Sequence, residues 1–291
     1  MTDRAPSPAP GWDPPAVDAP RGKNRPEPSP ADEALLHSLA RQGLIAILRA
    51  RRPAPLVPVV LTLLEAGVRC VEITLPTPGA LEALRELTGR RAGELPPGTL
   101  LGVGTVTDPG DVARAAAAGA RFTVGPVYEP VVVDASRAAG LGSLPGCLTP
   151  TEAFAAWRRG ASAVKLFPAE ALGPRAVRAL TAPLPDIPLV PTGGIGLDAL
   201  PRYLAAGALA CGVGSPLLVD ALDGGPRTEL RGGAERFVRL ATRATAEDAA
   251  VCAPPPKPRP PGRPVWSPSA RPWPPWCPTG SARCATPAPS P

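Results

Sequence analysis

One amine stands apart in this chain. Of its 31 Lys and Arg residues only Lys23, Lys165 and Lys257 are lysines, and Lys165 alone lies between residues 31 and 250. Arg fills every other basic position of that stretch, and a guanidinium stays protonated and forms no imine. Lys165 sits in the apolar run Ser162-Ala163-Val164-Lys165-Leu166-Phe167-Pro168. In such surroundings an ammonium loses its proton more readily, and the free amine can attack a ketone. The ordinary alternative is a strand-end lysine that reaches solvent or pairs with a carboxylate. Its singularity and its place at a strand end favour nucleophilic chemistry.

Two further signals accompany the amine. Glu72 lies in Cys70-Val71-Glu72-Ile73-Thr74-Leu75, where an inward carboxyl needs a partner or a raised pKa, as suits a general acid/base. It can equally form a structural ion pair with Arg49, which closes Ala46-Ile47-Leu48-Arg49; Arg49 would then orient Glu72 or take a substrate carboxylate. The other signal is glycine. Pro191-Thr192-Gly193-Gly194-Ile195 and Gly212-Val213-Gly214-Ser215 follow two strand-like runs. Glycine lets backbone amides approach an oxyanion, although tight turns also favour it.

These residues need a scaffold, and the sequence repeats one. Short β-type runs occur at 44–49, 69–75, 99–103, 121–124, 142–145, 162–166, 187–191 and 209–213. Helical stretches follow near 55–66, 77–88, 108–118, 130–139, 149–158, 174–180, 197–206 and 231–247, and one at 31–42 precedes the first strand. Helix starts carry Thr, Asp or Pro and several ends carry Gly. Eight β-then-α units in this length predict a closed (β/α)₈ TIM barrel with an N-terminal helix, with an open doubly wound sheet as the alternative. Barrel sites lie at the C-terminal strand ends, where Lys165 and the glycine turns fall, and the loops after strands seven and eight commonly bind phosphate.

Composition divides the chain. Residues 1–30 and 251–291 are rich in Pro, Ala, Ser and Arg without apolar periodicity, and are expected to be disordered ends around a barrel at 31–250. Of the net charge of +6, +5 belongs to the C-terminal tail, because 31–250 carries 22 basic and 21 acidic side chains. That leaves no basic stripe for nucleic acid. No apolar run reaches membrane-spanning length and no apolar signal core follows the start. Cys70, Cys147 and Cys211 read as buried thiols, and Cys252, Cys277 and Cys284 fall in the tail; this pattern without a CxxC spacing suits a reduced, cytoplasmic setting. The tail's Trp266, Trp273 and Trp276 read either as a partner-binding segment or as a solvated extension.

In this order the motifs resemble the 2-keto-3-deoxy-6-phosphogluconate/4-hydroxy-2-oxoglutarate aldolases over about residues 41–220. The series runs through Gly43-Leu44-Ile45-Ala46-Ile47-Leu48-Arg49-Ala50, Glu72-Ile73-Thr74-Leu75 and Gly102-Val103-Gly104-Thr105-Val106. It continues with Pro145-Gly146-Cys147-Leu148-Thr149-Pro150-Thr151-Glu152 and Val164-Lys165-Leu166-Phe167-Pro168-Ala169-Glu170, and closes on the two glycine turns. The resemblance implies a homotrimeric (β/α)₈ barrel, with Lys165 forming a Schiff base and Glu72 as acid/base. It further implies Arg49, Thr105, Pro126 and Phe167 around a small keto acid, and a phosphate near Thr192, Gly193, Gly194, Gly214 and Ser215.

The implied reaction is class I aldol cleavage to pyruvate and an aldehyde, either glyceraldehyde 3-phosphate or glyoxylate. It calls for no metal and no cofactor, and His37 as the single histidine speaks against a zinc-dependent aldolase. Two departures bear on substrate preference. Pro76 stands where some members carry an Arg for the substrate carboxylate, and Gly125-Pro126-Val127 replaces Ser-Pro-Gly. The alternatives are another phosphate-binding barrel enzyme that would not need Lys165, or a non-catalytic barrel that binds sugar-acid phosphates.

Overall fold

The structure, a computed structural model, describes residues 25–251. The expectations for the remaining ends, including the tail cysteines and tryptophans, lie outside the described residues.

Helix α1 (Pro30–Gln42) opens with a capping box. The Ser29 hydroxyl accepts from the Asp32 amide, the Asp32 carboxylate accepts from the Ser29 amide, and left-handed Gly43 ends the helix. Strands β1 (Leu44–Leu48), β2 (Cys70–Thr74), β3 (Leu100–Gly104), β4 (Phe122–Val124) and β5 (Gly142–Leu144) then alternate with α2 (Leu56–Glu65), α3 (Ala80–Thr88), α4 (Pro109–Ala117) and α5 (Pro130–Ala138). The second half holds β6 (Gly146–Cys147), α6 (Pro150–Arg159), β7 (Val164–Leu166), α7 (Ala169–Thr181), β8 (Leu189–Pro191), α8 (Leu200–Leu204) and β9 (Cys211–Val213). Helices α9 (Ser215–Leu218) and α10 (Arg227–Val251) close the order.

All strand pairs are parallel, in a curled six-stranded sheet of order β5-β4-β3-β2-β1-β9 and a three-stranded sheet β6-β7-β8. A continuous ring of strand pairing was expected, and it is interrupted at two places. Pro145 separates β5 from β6, and Pro191 ends β8, which meets β9 through the isolated bridge Thr192–Gly212. Proline has no amide proton to give a ladder, so both interruptions fall where the chemistry predicts them.

Each predicted strand has its counterpart, with two-residue β6 added after Pro145; α8 is shorter and α10 longer than expected, and the helices depart furthest at α9 and α7. The short α9 was not anticipated, because four residues carry no period to read. Helix α7 begins at Ala169 rather than 174, since Gly173 (φ 70°) breaks it before Pro174 and only the second half matched the Pro start signal.

Both faces of the strands are covered, as a parallel sheet flanked by helices requires. Val71 and Ile73 pack outward into the helix layer, whereas Cys70, Ile45, Phe122, Val124, Ala163 and Val190 form a separate inner cluster with Leu35 and Leu39 of α1. Buried Asp32 accepts from the Ser162 hydroxyl, which in turn accepts from the Ser143 amide at 2.8 Å. Helix α1 therefore seals the N-terminal ends of β5 and β7. Whatever the inner face presents above that apolar floor is presented at the C-terminal ends.

Candidate active site

Side chains two apart on a strand share a face. Glu72 thus lies above Cys70 on β2, and Lys165 of β7 above Ala163, which precedes the strand, both on the inner face. The fold buries them to 1 % and 7 % exposure respectively. Burial pushes the Glu72 carboxyl up from the ordinary carboxylate range, against smaller downward pulls from Lys165 and Arg49. Burial likewise holds the Lys165 amine below the ordinary lysine value; Glu72 opposes this and Arg49 adds to it. The positions two residues earlier, Cys70 and Ala163, lie in one inner cluster, which puts Glu72 and Lys165 on the same inner face. Burial thus shifts both the carboxyl and the amine towards their neutral forms, the direction that suits proton exchange and nucleophilic attack.

Arg49 follows β1 and donates from Nη2 to Thr105 Oγ1 at 2.8 Å. Thr105 takes a left-handed backbone (φ 62°) directly after β3, a conformation costing on the order of 1–3 kcal/mol for a residue with a Cβ. That turn brings the hydroxyl to the guanidinium. Phe167, partly exposed at the end of β7, has its ring centroid 5.0 Å from Lys165 Nζ. Pro126 follows β4, and its backbone comes so close to Gly146 that a side chain there would meet the Pro126 carbonyl carbon.

The first glycine turn is held from beneath. The Thr192 amide donates to the Leu166 carbonyl at 2.9 Å, and the Thr192 carbonyl accepts from the Ala169 amide at 2.8 Å. Gly193 (φ 106°) lies over the Phe167 ring, and Gly194 (φ 68°) lies against Glu170, whose Cβ and Cδ would be 2.7 and 2.9 Å from a Cβ at 194. Only glycine adopts two such conformations in succession without strain. Gly214 and Ser215 begin α9 after β9, whose strand pairs with β1. The turn after β8 and the turn after β9 are neighbours through the Thr192–Gly212 bridge.

The residues singled out in the sequence therefore gather at the C-terminal strand ends. Pro76 is exposed just beyond β2. Gly104 and Glu170 were missed as members of the site. Gly104 resembles any strand glycine until its neighbour is known, and Glu170 stood inside a quoted motif without an assigned contact. Among the described residues no group of three or more His, Cys, Asp or Glu side chains could hold a metal ion.

Fold and site together define a parallel α/β protein that encloses an amine and a carboxyl beside a rim of glycine turns. Residues 36–224 match the KDPG and KHG aldolase family model, and the chain belongs to that family. It is 38% identical over 183 residues to a probable 2-dehydro-3-deoxy-6-phosphogalactonate aldolase of Rhizobium meliloti (strain 1021), covering 62% of this chain and 84% of the relative. It is 35% identical to a 2-dehydro-3-deoxy-phosphogluconate aldolase of Pseudomonas aeruginosa, covering 65% and 84%. A solved KDPG aldolase from Legionella pneumophila, with pyruvate captured as a covalent carbinolamine, superposes with a TM-score of 0.58 at 26% identity, over 72% of this chain and 97% of that one.

Proposed function

We propose that the protein is a class I aldolase that cleaves a 2-keto-3-deoxy-6-phospho sugar acid to pyruvate and glyceraldehyde 3-phosphate through an imine on Lys165. The burial of Lys165 and Glu72 on the same inner face of the strands carries this reading. Neutral Lys165 attacks the C2 ketone, and the carbinolamine loses water to give an iminium. Glu72 relays those protons and then takes the C4 hydroxyl proton as C3–C4 breaks, while the iminium stores the electron pair as an enamine. Protonation of the enamine and hydrolysis release pyruvate. The iminium is the electron sink, so no step needs a metal. The carbinolamine captured in the Legionella relative supports the same opening step. Reduction with borohydride in the presence of pyruvate tests it: a reduced adduct mapped to the Lys165 peptide is expected, and an unmodified peptide in an active preparation overturns it.

Arg49, held by Thr105, takes the keto-acid carboxylate in this reading, with Phe167 and Pro126 walling the pyruvyl half. The phosphate is received by the turns at Thr192-Gly193-Gly194 and Gly214-Ser215. Gly194→Ala forces a Cβ into a left-handed position beside Glu170. Displacing one amide from a phosphate forfeits about 1.5–3 kcal/mol, or roughly 10–100-fold in kcat/KM. That loss is expected for the phosphorylated keto acid and not for 4-hydroxy-2-oxoglutarate, which is also cleaved, to pyruvate and glyoxylate, but less efficiently. Equal losses with both substrates would remove the turn from the phosphate site.

The two sheets are read here as arcs of one (β/α)₈ barrel, because both gaps fall at prolines and the Thr192–Gly212 bridge joins the flanking strands. A homotrimer is proposed as well. Val127, Val131, Leu148 and Phe154 are exposed around the neighbouring helices α5 and α6 and the loops before them, and such apolar patches mark association sites. Light scattering is expected to give three times the chain mass, and Val131→Glu to lower it; a monomeric parent refutes the assembly. The unpaired, buried Cys70, Cys147 and Cys211 support a cytoplasmic setting.

A further inference from the structure

Gly104, at the end of β3, has no side chain in a place where any side chain would strike the proposed acid/base. A Cβ built there would lie 2.8 Å from Cγ of Glu72, 2.5 Å from its carboxyl carbon, and closer still to Oε1. The register explains the encounter. Glu72 pairs with Gly102, and its side chain leans along the strand direction over the next inward position of β3, which is Gly104. The carboxylate thus rests on bare backbone. Its Oε1 is buried and has no hydrogen-bond partner, so on that side shape rather than a donor fixes where the oxygen stands. A buried acceptor left unpaired is destabilising, and such an arrangement persists only where the surroundings leave the group nowhere else to go.

We propose that Gly104 is a positioning residue for the aldol reaction, its missing side chain forming the slot that holds the Glu72 carboxyl towards Lys165. This rests on the acid/base reading of Glu72, and a double-mutant cycle separates the two. Gly104→Ala is expected to lower kcat/KM by about the factor lost in Glu72→Ala, on the scale of 10²–10⁴-fold for general acid/base catalysis. It is also expected to slow imine formation with pyruvate. The decisive measurement is the pair, because residues acting through one another are not additive. Once Glu72→Ala has emptied the slot, adding Gly104→Ala is expected to cost nothing further in rate or melting temperature. A Gly104→Ala protein that unfolds alone but folds and matches the Glu72→Ala rate in the double variant also supports the slot. Near-normal turnover of Gly104→Ala beside an impaired Glu72→Ala overturns it, as does a further loss in the double variant. Near-normal turnover of Glu72→Ala itself sinks the acid/base reading instead.

Discussion

Lys165→Met is expected to bring aldol cleavage below detection while leaving a folded protein that melts no lower than the parent at neutral pH. The first half follows from mechanism. A thioether forms no imine, and without the iminium the electrons of the C3–C4 bond have no sink. The second half follows from burial. Methionine nearly conserves the volume of lysine, and such swaps usually cost under about 1.5 kcal/mol. Lysine at this place carries a desolvation penalty that methionine lacks. Burial lowers its folded-state pKa, so the unfolded chain binds the proton more tightly. The penalty is complete below the folded-state pKa and fades as pH rises towards the unfolded value. Residual cleavage comparable to the parent would end the Schiff-base reading, and a collapse of the fold would assign Lys165 a structural role. Both are read from one preparation, by coupled assay for pyruvate and by thermal melting.

Glu72→Gln is expected to lower kcat/KM by about 10²–10⁴-fold and to raise stability above the ordinary carboxylate range. The amide keeps the shape that fits over Gly104 but moves no proton. Its effect on stability has a definite sign. Burial raises the Glu72 pKa, so the folded state holds this proton more tightly than the unfolded chain. Parental stability therefore falls as pH rises from the unfolded value through the folded one, and the glutamine variant has no such fall. Melting curves across that window are expected to diverge, the variant being the more stable at the alkaline end. Parallel curves would mean that the carboxyl is not held neutral by its surroundings. Near-normal turnover would place the acid/base elsewhere. A variant slower yet more stable is the signature of a site kept at the expense of the fold.

Much of the candidate site is legible in the sequence because the proposed chemistry restricts residue type. Only an amine makes an imine, and in an arginine-using stretch Lys165 had no ordinary competitor. The apolar setting of Glu72 was equally visible, since a carboxyl within five consecutively buried strand residues must be satisfied or neutralised. Strand positions were legible from short apolar runs bounded by Gly and Pro. Helix starts were legible at Asp108 and Thr149, where side chains cap free amides, whereas the Ser29 cap emerged only in the structure. The family followed from the order of these motifs, and the comparisons bear it out.

What the sequence determined by itself was therefore the set of chemical groups and the order of the elements that carry them, because residue type and local periodicity are properties of neighbours in the chain. What the tertiary structure decided was which groups meet. The facing of Glu72 and Lys165 depends on the curl of two sheets, and the interruptions of pairing depend on which partner Pro145 and Pro191 fail to reach. Arg49 finds Thr105, 56 positions away, only because β1, β2 and β3 lie side by side and Thr105 turns left-handed at their end. Gly104 is the plainest case. Along the chain it is one of 30 glycines, and its meaning comes from a carboxylate on the next strand. A missing side chain has no chemistry of its own, and its purpose is set by whatever occupies the space it leaves.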